Sequence, residues 1–540
     1  MQKLERKGYI LVICLVIAGF LFFAGCTQKA PDTTVIKTDA GYISGINQDG
    51  IRVYHGIPFA APPVGDLRWR PPAPVQPWGD IKEAKEYSAT CPQTVKASPA
   101  SSQGAPALNT SDDCPYLDAC PMTVKASPAS SPKVPALNMS EDCLYLNVWT
   151  PAKNASEKLP VMVFFYGGGF TSVAGSMPVY NGTTLAEKGV IVVTPNYRIG
   201  ALGFLAHPQL DSESPYNVSG NYGILDQQAA LKWVQNNIAS FGGDPSRVTI
   251  FGQSAGAEST YVHLVSPLSR GLYKQAIVES GPFWAQGTII NATHSKTYAE
   301  SFGTQYAKSL GYSGPDAITQ MRKLSPETLI NATPSSPSSF WTTHTVMFEP
   351  NVDGWVLPDT LDNSFLNHME NPVPLMIGNN AGDGTTLSAN ANMSVPEYLP
   401  FLKSRFDNNA DTVFKKYPAN STSGVQTRLE QMTTQDDFID SVKFAAGSMG
   451  DISPDTYMYR YSYIIPGQPY GAFHGSELFL LFGVPHIDVD PSVAANVVDL
   501  WTRFTKTGNP NGGMDVTWPN YTRENGRYLD INITPSVRRA

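Results

Sequence analysis

The chain predicts an α/β fold with one large, mostly parallel central sheet and helices on both faces, and three observations carry that expectation. "LPVMVFFY" (159–166), "GVIVVTPNY" (189–197) and "RVTIFG" (247–252) are short, continuously apolar runs rich in β-branched residues, as strands buried on both faces require. Between the second and third, "GILDQQAALKWVQNNIASFG" (223–242) has apolar residues at helical spacing and stops at a glycine. Further strand candidates ("QAIVES", "PVPLMIGN", "TYMYRYSYII") alternate with helical stretches, so one layered sheet is expected over most of the chain.

At the N-terminus, Lys3, Arg6 and Lys7 precede an apolar run from Tyr9 to Ala24, the layout of a signal peptide over residues 1–25. The run ends in "FAGC", which resembles a lipobox and marks Cys26 for lipidation, with 26–34 as a tether. An uncleaved anchor is the alternative, since the run is slightly short of the roughly 18–20 residues of a membrane span. Either way the rest is expected outside the cytoplasm, with the membrane touched only through this end.

The whole chain has a net charge of −8. Such an acidic protein lacks the basic footprint that nucleic acid or anionic lipid demands. Eleven Asn-x-Ser/Thr sequons, among them Asn154, Asn181 and Asn217, are compatible with a glycosylated surface protein.

Residues 91–148 hold two tandem copies of one 29-residue unit, "CPQTVKASPASSQGAPALNTSDDCPYLDA" and "CPMTVKASPASSPKVPALNMSEDCLYLNV". A solenoid needs at least three stacked units, so two copies do not make one. The unit carries Cys91, Cys114, Cys120 and Cys143. With Cys14 in the leader and Cys26 at the lipid position, an even four remain, which in an oxidising compartment argues for two disulfides.

The chemistry is expected around Gly252-Gln253-Ser254-Ala255-Gly256, where a buried strand turns into "SAGAESTYVHLVS". Strand, G-x-S-x-G and helix in that order form a nucleophile elbow: the turn is too sharp for side chains at the flanking glycines. Ser254 is left exposed at a helix start whose free N–H groups favour developing negative charge. "FFYGGGF" follows another buried strand, and its glycines allow close backbone approach to a substrate oxygen.

A general base must come from a loop able to fold over the elbow. Of eight histidines, His263 lies on the elbow's own helix and cannot reach back, whereas His474 in "YGAFHGSEL" stands in a small-residue loop after a strand. The orienting acid belongs between Ser and His in chain order, where "PVPLMIGNNAGDG" offers Asp383. Asp353 in "NVDGW" is the rival, although Asp-Gly is first a turn signal. No metal-ligand or phosphate-loop spacing is present, so no cofactor or metal is expected.

Together with "YHGIPFAAPPVGDLRWRPP", "SEDCLYLNVWTP", "NYRIGALGFL", "LWTRFTKTGNPN" and "WPNY", these runs resemble the type B carboxylesterase and cholinesterase family of α/β-hydrolases, over nearly all of residues 35–540 as one domain. The resemblance implies Ser254 as nucleophile, His474 as base, Asp383 as acid, and the N–H groups of Gly168, Gly169 and Ala255 as oxyanion hole. It implies acyl transfer from a small-molecule ester.

The chain departs from the family pattern in three places. Asp383 stands where Glu is usual, one methylene shorter, so its loop must sit closer; Gln253 replaces a frequent Glu; Tyr166 precedes the glycines where many bacterial members have His. The choline-binding aromatics are missing, with Lys133 in the region of one and Thr385 and Thr386 in that of the other, so uncharged esters are expected. Trp284 and Phe170 are candidates for the pocket wall.

The resemblance also implies ion pairs Arg68–Glu141 and Arg198–Asp226, and a cysteine bridge closing one loop beside the site. Here the tandem unit splits that loop. The expected pairing is Cys91 with Cys114 and Cys120 with Cys143, each unit closing its own loop; the nested alternative is Cys91 with Cys143 and Cys114 with Cys120. The competing function is a non-catalytic surface recognition or adhesion module, since some proteins of this fold have lost the nucleophile. Retention of Ser254, Asp383 and His474 argues against it.

Overall fold

The computed structural model describes residues 34–94, 138–282, 295–333, 348–389, 391 and 393–540. Cys26 and the leader, Cys114, Cys120 and Trp284 lie outside the described residues.

The predicted strands appear where their apolar runs place them. In chain order the main sheet contains β1 (Ile46–Gln48), β2 (Ile51–Pro58), β3 (Tyr145–Thr150), β4 (Leu159–Phe165), β5 (Ile191–Pro195), β6 (Gly243–Gln253), β7 (Gln275–Glu279), β8 (Leu375–Asn380), β9 (Thr456–Tyr461), β10 (Arg527–Ile531) and β11 (Ser536–Arg539). It is an 11-stranded sheet in the order β11-β10-β9-β8-β7-β6-β4-β5-β3-β2-β1. The block from β5 to β10 is parallel throughout, and both edges are antiparallel. β5, β7 and β8 are buried at every residue, which is why their sequences do not alternate. A separate three-stranded sheet joins Val35–Lys37, Tyr42–Ser44 and Lys82–Glu83.

Helices cover both faces. The two that matter for the site are α1 (Tyr222–Asn237) and α2 (Ala255–Val265); α2 runs directly off β6. Two further helices, α3 (Val395–Phe406) and α4 (Thr422–Met432), have their own cluster of Tyr398, Leu402, Phe406, Leu429 and Met432, whereas α5 (Asp440–Ile452) buries Val442, Ala445, Ala446 and Met449 in the main core. Between α4 and α5, residues Thr433–Ile439 wind as a π-helix, a form that recurs at functional sites.

The structure corrects the expected cysteine pairing. Cys91 bonds to Cys143, with Cα atoms 5.1 Å apart, and not to Cys114. The cause is the backbone beside them: Thr90 N–H donates to Asn138 O (2.9 Å) and Ser140 N–H to Thr90 O (3.0 Å), which joins the outer flanks of the doubled unit. Both sulfurs are buried in the main core. Loop entropy barely discriminates between pairings, so this local pairing decides.

Candidate active site

The turn from β6 into α2 places Ser254 at φ 59°, ψ −126°, a strained conformation for a residue with a side chain. The crossing is tight enough to exclude Cβ atoms on both sides. A Cβ on Gly252 would lie 2.3 Å from Gly256 O, and one on Gly256 would lie 1.9 Å from Phe165 O. Ser254 precedes the first residue of α2, Ala255, so the N–H of Ala255 belongs to the first turn, which has no partner within the helix.

The glycine loop lies against this turn. A Cβ on Gly167 would fall 2.9 Å from Ser254 Cβ. Gly168 (φ 91°) and Gly169 (φ 58°) have left-handed backbones, and no described residue accepts from their N–H groups. Behind the loop Tyr166 stacks on Tyr197, and Val173, itself at φ 77°, is held by the side chain of Gln93: Val173 N–H donates to Oε1 (2.7 Å) and Nε2 donates to Val173 O (3.1 Å). Phe170 packs edge-on against Phe204 and is 1% exposed.

Opposite, two loops meet through backbone pairing, with Gly382 N–H donating to Ala472 O at 2.9 Å. This close approach is what the shorter Asp383 needs. Asp383 Oδ1 is 2.7 Å from His474 Nδ1, while Oδ2 accepts from Asn380 N–H (2.8 Å) and Ser280 Oγ (3.1 Å), so both oxygens are fixed. His474 Nε2 faces Gln253 Nε2 at 3.1 Å, and Phe438 of the π-helix packs on the ring at 5.0 Å. Ser254 Oγ makes no hydrogen bond to His474 here; catalytic hydrogen bonds commonly tighten only when substrate is bound.

Two buried carboxyls stand behind Asp383. Burial and the neighbouring Asp383 charge push Glu477 up to about 8, and burial with Glu477 nearby pushes Glu279 well above its ordinary range. Asn380 donates to Glu477, and Trp501 Nε1 to Glu279 at 2.9 Å. Among the described residues, Asp383 is the carboxyl that touches the imidazole.

The rival groups are occupied elsewhere. Asp353 Oδ1 caps a turn by accepting from the N–H groups of Trp355, Val356 and Leu357. His263 is buried between Ser269 Oγ and Gln227 Oε1. Arg68 pairs with Glu141 and Arg198 with Asp226, as the resemblance implied. The sequence reading did not foresee the contacts of Gln253, Phe438, Glu279 or Gln93. Gln253 is marked in the sequence as a departure from the family pattern, and Gln93 by the Met122 that stands in its place in the second copy of the unit.

Residues 32–540 match the carboxylesterase family. The chain is 35% identical over 533 residues to the fumonisin B1 esterase of Sphingopyxis macrogoltabida, covering 96% of this chain and 90% of that protein. It is 31% identical to the para-nitrobenzyl esterase of Bacillus subtilis (strain 168), covering 93% and 95% respectively. A solved PNB esterase superposes with a TM-score of 0.76 at 29% identity, over 94% of this chain and 97% of that one. The chain belongs to the carboxylesterase family, and it is a carboxylic-ester hydrolase.

Proposed function

We propose that this protein is an exported serine carboxylesterase that cleaves uncharged esters through an acyl-enzyme intermediate. The observation that carries the reading is the Asp383–His474 contact at 2.7 Å, set beside a strained Ser254 and two glycines whose N–H groups no described residue accepts from. In this reading Ser254 Oγ attacks the ester carbonyl while His474 Nε2 takes its proton. The resulting oxyanion is held by the N–H groups of Gly168, Gly169 and Ala255, each worth roughly 2.7–4 kcal/mol in the transition state. Collapse breaks the C–O bond, and His474 returns the proton to the departing alcohol. Water, deprotonated by the same imidazole, then releases the acid and restores Ser254.

Asp383 keeps the proton of His474 on Nδ1 and stabilises the imidazolium that forms. Export is supported by the leader and by the Cys91–Cys143 bridge, since disulfides persist in oxidising compartments. The test is hydrolysis of p-nitrophenyl esters from acetate to laurate by the protein and by Ser254→Ala. Activity confined to the protein with Ser254 is expected; equal activity in both would overturn the mechanism. Cys26→Ser, followed by labelled-palmitate incorporation in cells, tests the lipid anchor.

A further inference from the structure

One hydrogen bond at the site is not used by the reaction as written above. His474 Nε2 stands 3.1 Å from Gln253 Nε2, in the residue immediately before Ser254. Both side chains are buried, with His474 7% and Gln253 5% exposed.

The partners of the ring determine which end of the amide faces it. Asp383 Oδ1, a carboxylate oxygen and so an acceptor, is 2.7 Å from Nδ1, which places the imidazole proton there. In the neutral ring Nε2 is then a lone pair. Only the NH2 end of Gln253 can meet it, because the carbonyl end would set two acceptors face to face. Asp383 therefore requires a proton on one nitrogen, and Gln253 requires none on the other.

We propose that Gln253 is a positioning residue that holds resting His474 as the neutral Nδ1-protonated tautomer, its Nε2 lone pair occupied until an entering ester lets the Ser254 hydroxyl take the amide's place. The inference rests on the reading of Ser254 as nucleophile. It makes residue 253 a control over the charge of the base. A carboxylate at this position would accept from Nε2–H and so stabilise the imidazolium between two acids.

The surroundings permit such control. Asp383 faces the ring from the acid loop, and Phe438 faces it from the π-helix with an uncharged face. The acids flanking Phe438 are paired away from the ring, Asp437 with Arg405 and Asp436 with Lys416. Burial, and for Glu477 the Asp383 charge, pushes Glu477 up to about 8 and Glu279 well above its ordinary range, so neither adds a charge near the ring on the acid limb.

The experiment measures kcat/KM against pH for the protein, Gln253→Glu and Gln253→Met on a neutral p-nitrophenyl ester. Gln253→Glu should move the acid limb up by about one pH unit, so that activity on that limb falls about tenfold while the alkaline plateau stays within a few-fold. Gln253→Met removes the donor that favours the neutral ring, so it should lower kcat and move the limb up by less than Gln253→Glu does. Identical limbs in all three proteins would overturn the proposal, because a merely structural residue changes activity equally at every pH.

Side-chain 15N spectra of histidine-labelled protein read the tautomer without any turnover. Nδ1–H alone is expected at neutral pH, and an Nε2–H signal in the resting protein overturns the proposal even if Gln253→Glu does not fold. An active protein with Nε2–H sinks this inference only. An inactive protein with Nδ1–H sinks the esterase reading instead.

Discussion

Tyr166 and Tyr197 stack at 4.1 Å and exchange hydrogen bonds, the Tyr166 hydroxyl donating to Tyr197 O at 2.8 Å and the Tyr197 hydroxyl to Tyr166 O at 2.6 Å. The pair ties the end of β4, just before Gly167, to the segment after β5. Burial pushes both phenols far above their ordinary range, so both remain donors. Tyr197→Phe leaves the Tyr166 carbonyl without its donor, at a cost of about 1–3 kcal/mol. Because that carbonyl anchors the glycine loop, kcat should drop by about 10- to 100-fold with KM nearly unchanged. Steady-state kinetics beside a thermal melt check both parts.

Gln93 distinguishes the two copies of the doubled unit. Deleting residues 94–122 shortens the segment while keeping Gln93; deleting residues 91–119 shortens it equally and puts Met122 in that place. The first variant should keep its bridge, its stability and its hydrolysis. The second should lose stability and rate, because Val173 loses both hydrogen bonds that hold its φ of 77°. Two variants of equal activity would show that Gln93 does not support the loop.

Stability should depend on pH through two buried groups of opposite sign. Glu477 titrates near 4.5 when exposed and at about 8 in the fold. Between those values the unfolded chain has released a proton that the fold retains, so stability falls as pH rises from about 4.5 to 8 and then levels off. Burial pushes His263 from 6.5 down to about 3, so the unfolded chain binds a proton that the fold refuses, and stability falls as pH drops through that window. The two effects oppose each other between about 4.5 and 6.5, so melting temperatures should rise from about pH 3 to 4.5 and fall from about 6.5 to 8; Glu477→Gln should remove the fall and extend the rise up to about 6.5.

Arg198 and Asp226 form a buried two-pronged pair, with Nε–Oδ2 and Nη2–Oδ1 both at 2.7 Å. Asp226→Ala strands the guanidinium and should cost about 3–5 kcal/mol. The exposed Arg523–Asp451 pair is the control, and its loss should cost under about 1 kcal/mol. Urea unfolding of the two variants compares them directly.

Much of this architecture was legible in the chain because the relevant signals are local. Apolar runs such as Leu159–Phe165 and Ile191–Pro195 are strands in the structure, and the glycines around Ser254 mark a crossing where a Cβ cannot fit. Asp383, one methylene short, implied a close loop, and the Gly382–Ala472 hydrogen bond supplies the approach. The nested alternative already contained the Cys91–Cys143 bond, but the choice between the two pairings was not legible, since it depends on Thr90 meeting Asn138 and Ser140 across a long stretch of sequence. Gln253 beside His474 and Phe438 on its ring were equally hidden, because each contact joins segments whose spacing encodes nothing about distance.

The bridge between Cys91 and Cys143 joins covalently the two ends of the span that holds the doubled unit. With those ends joined, a change of length beyond Gln93 is expected to leave β3 and the glycine loop in place. A tandem duplication arising there is thus shielded from selection against misfolding, as the doubled unit illustrates. The same property makes this span a natural graft site: an affinity peptide or reporter domain inserted between the two copies would be displayed by the enzyme without disturbing Ser254.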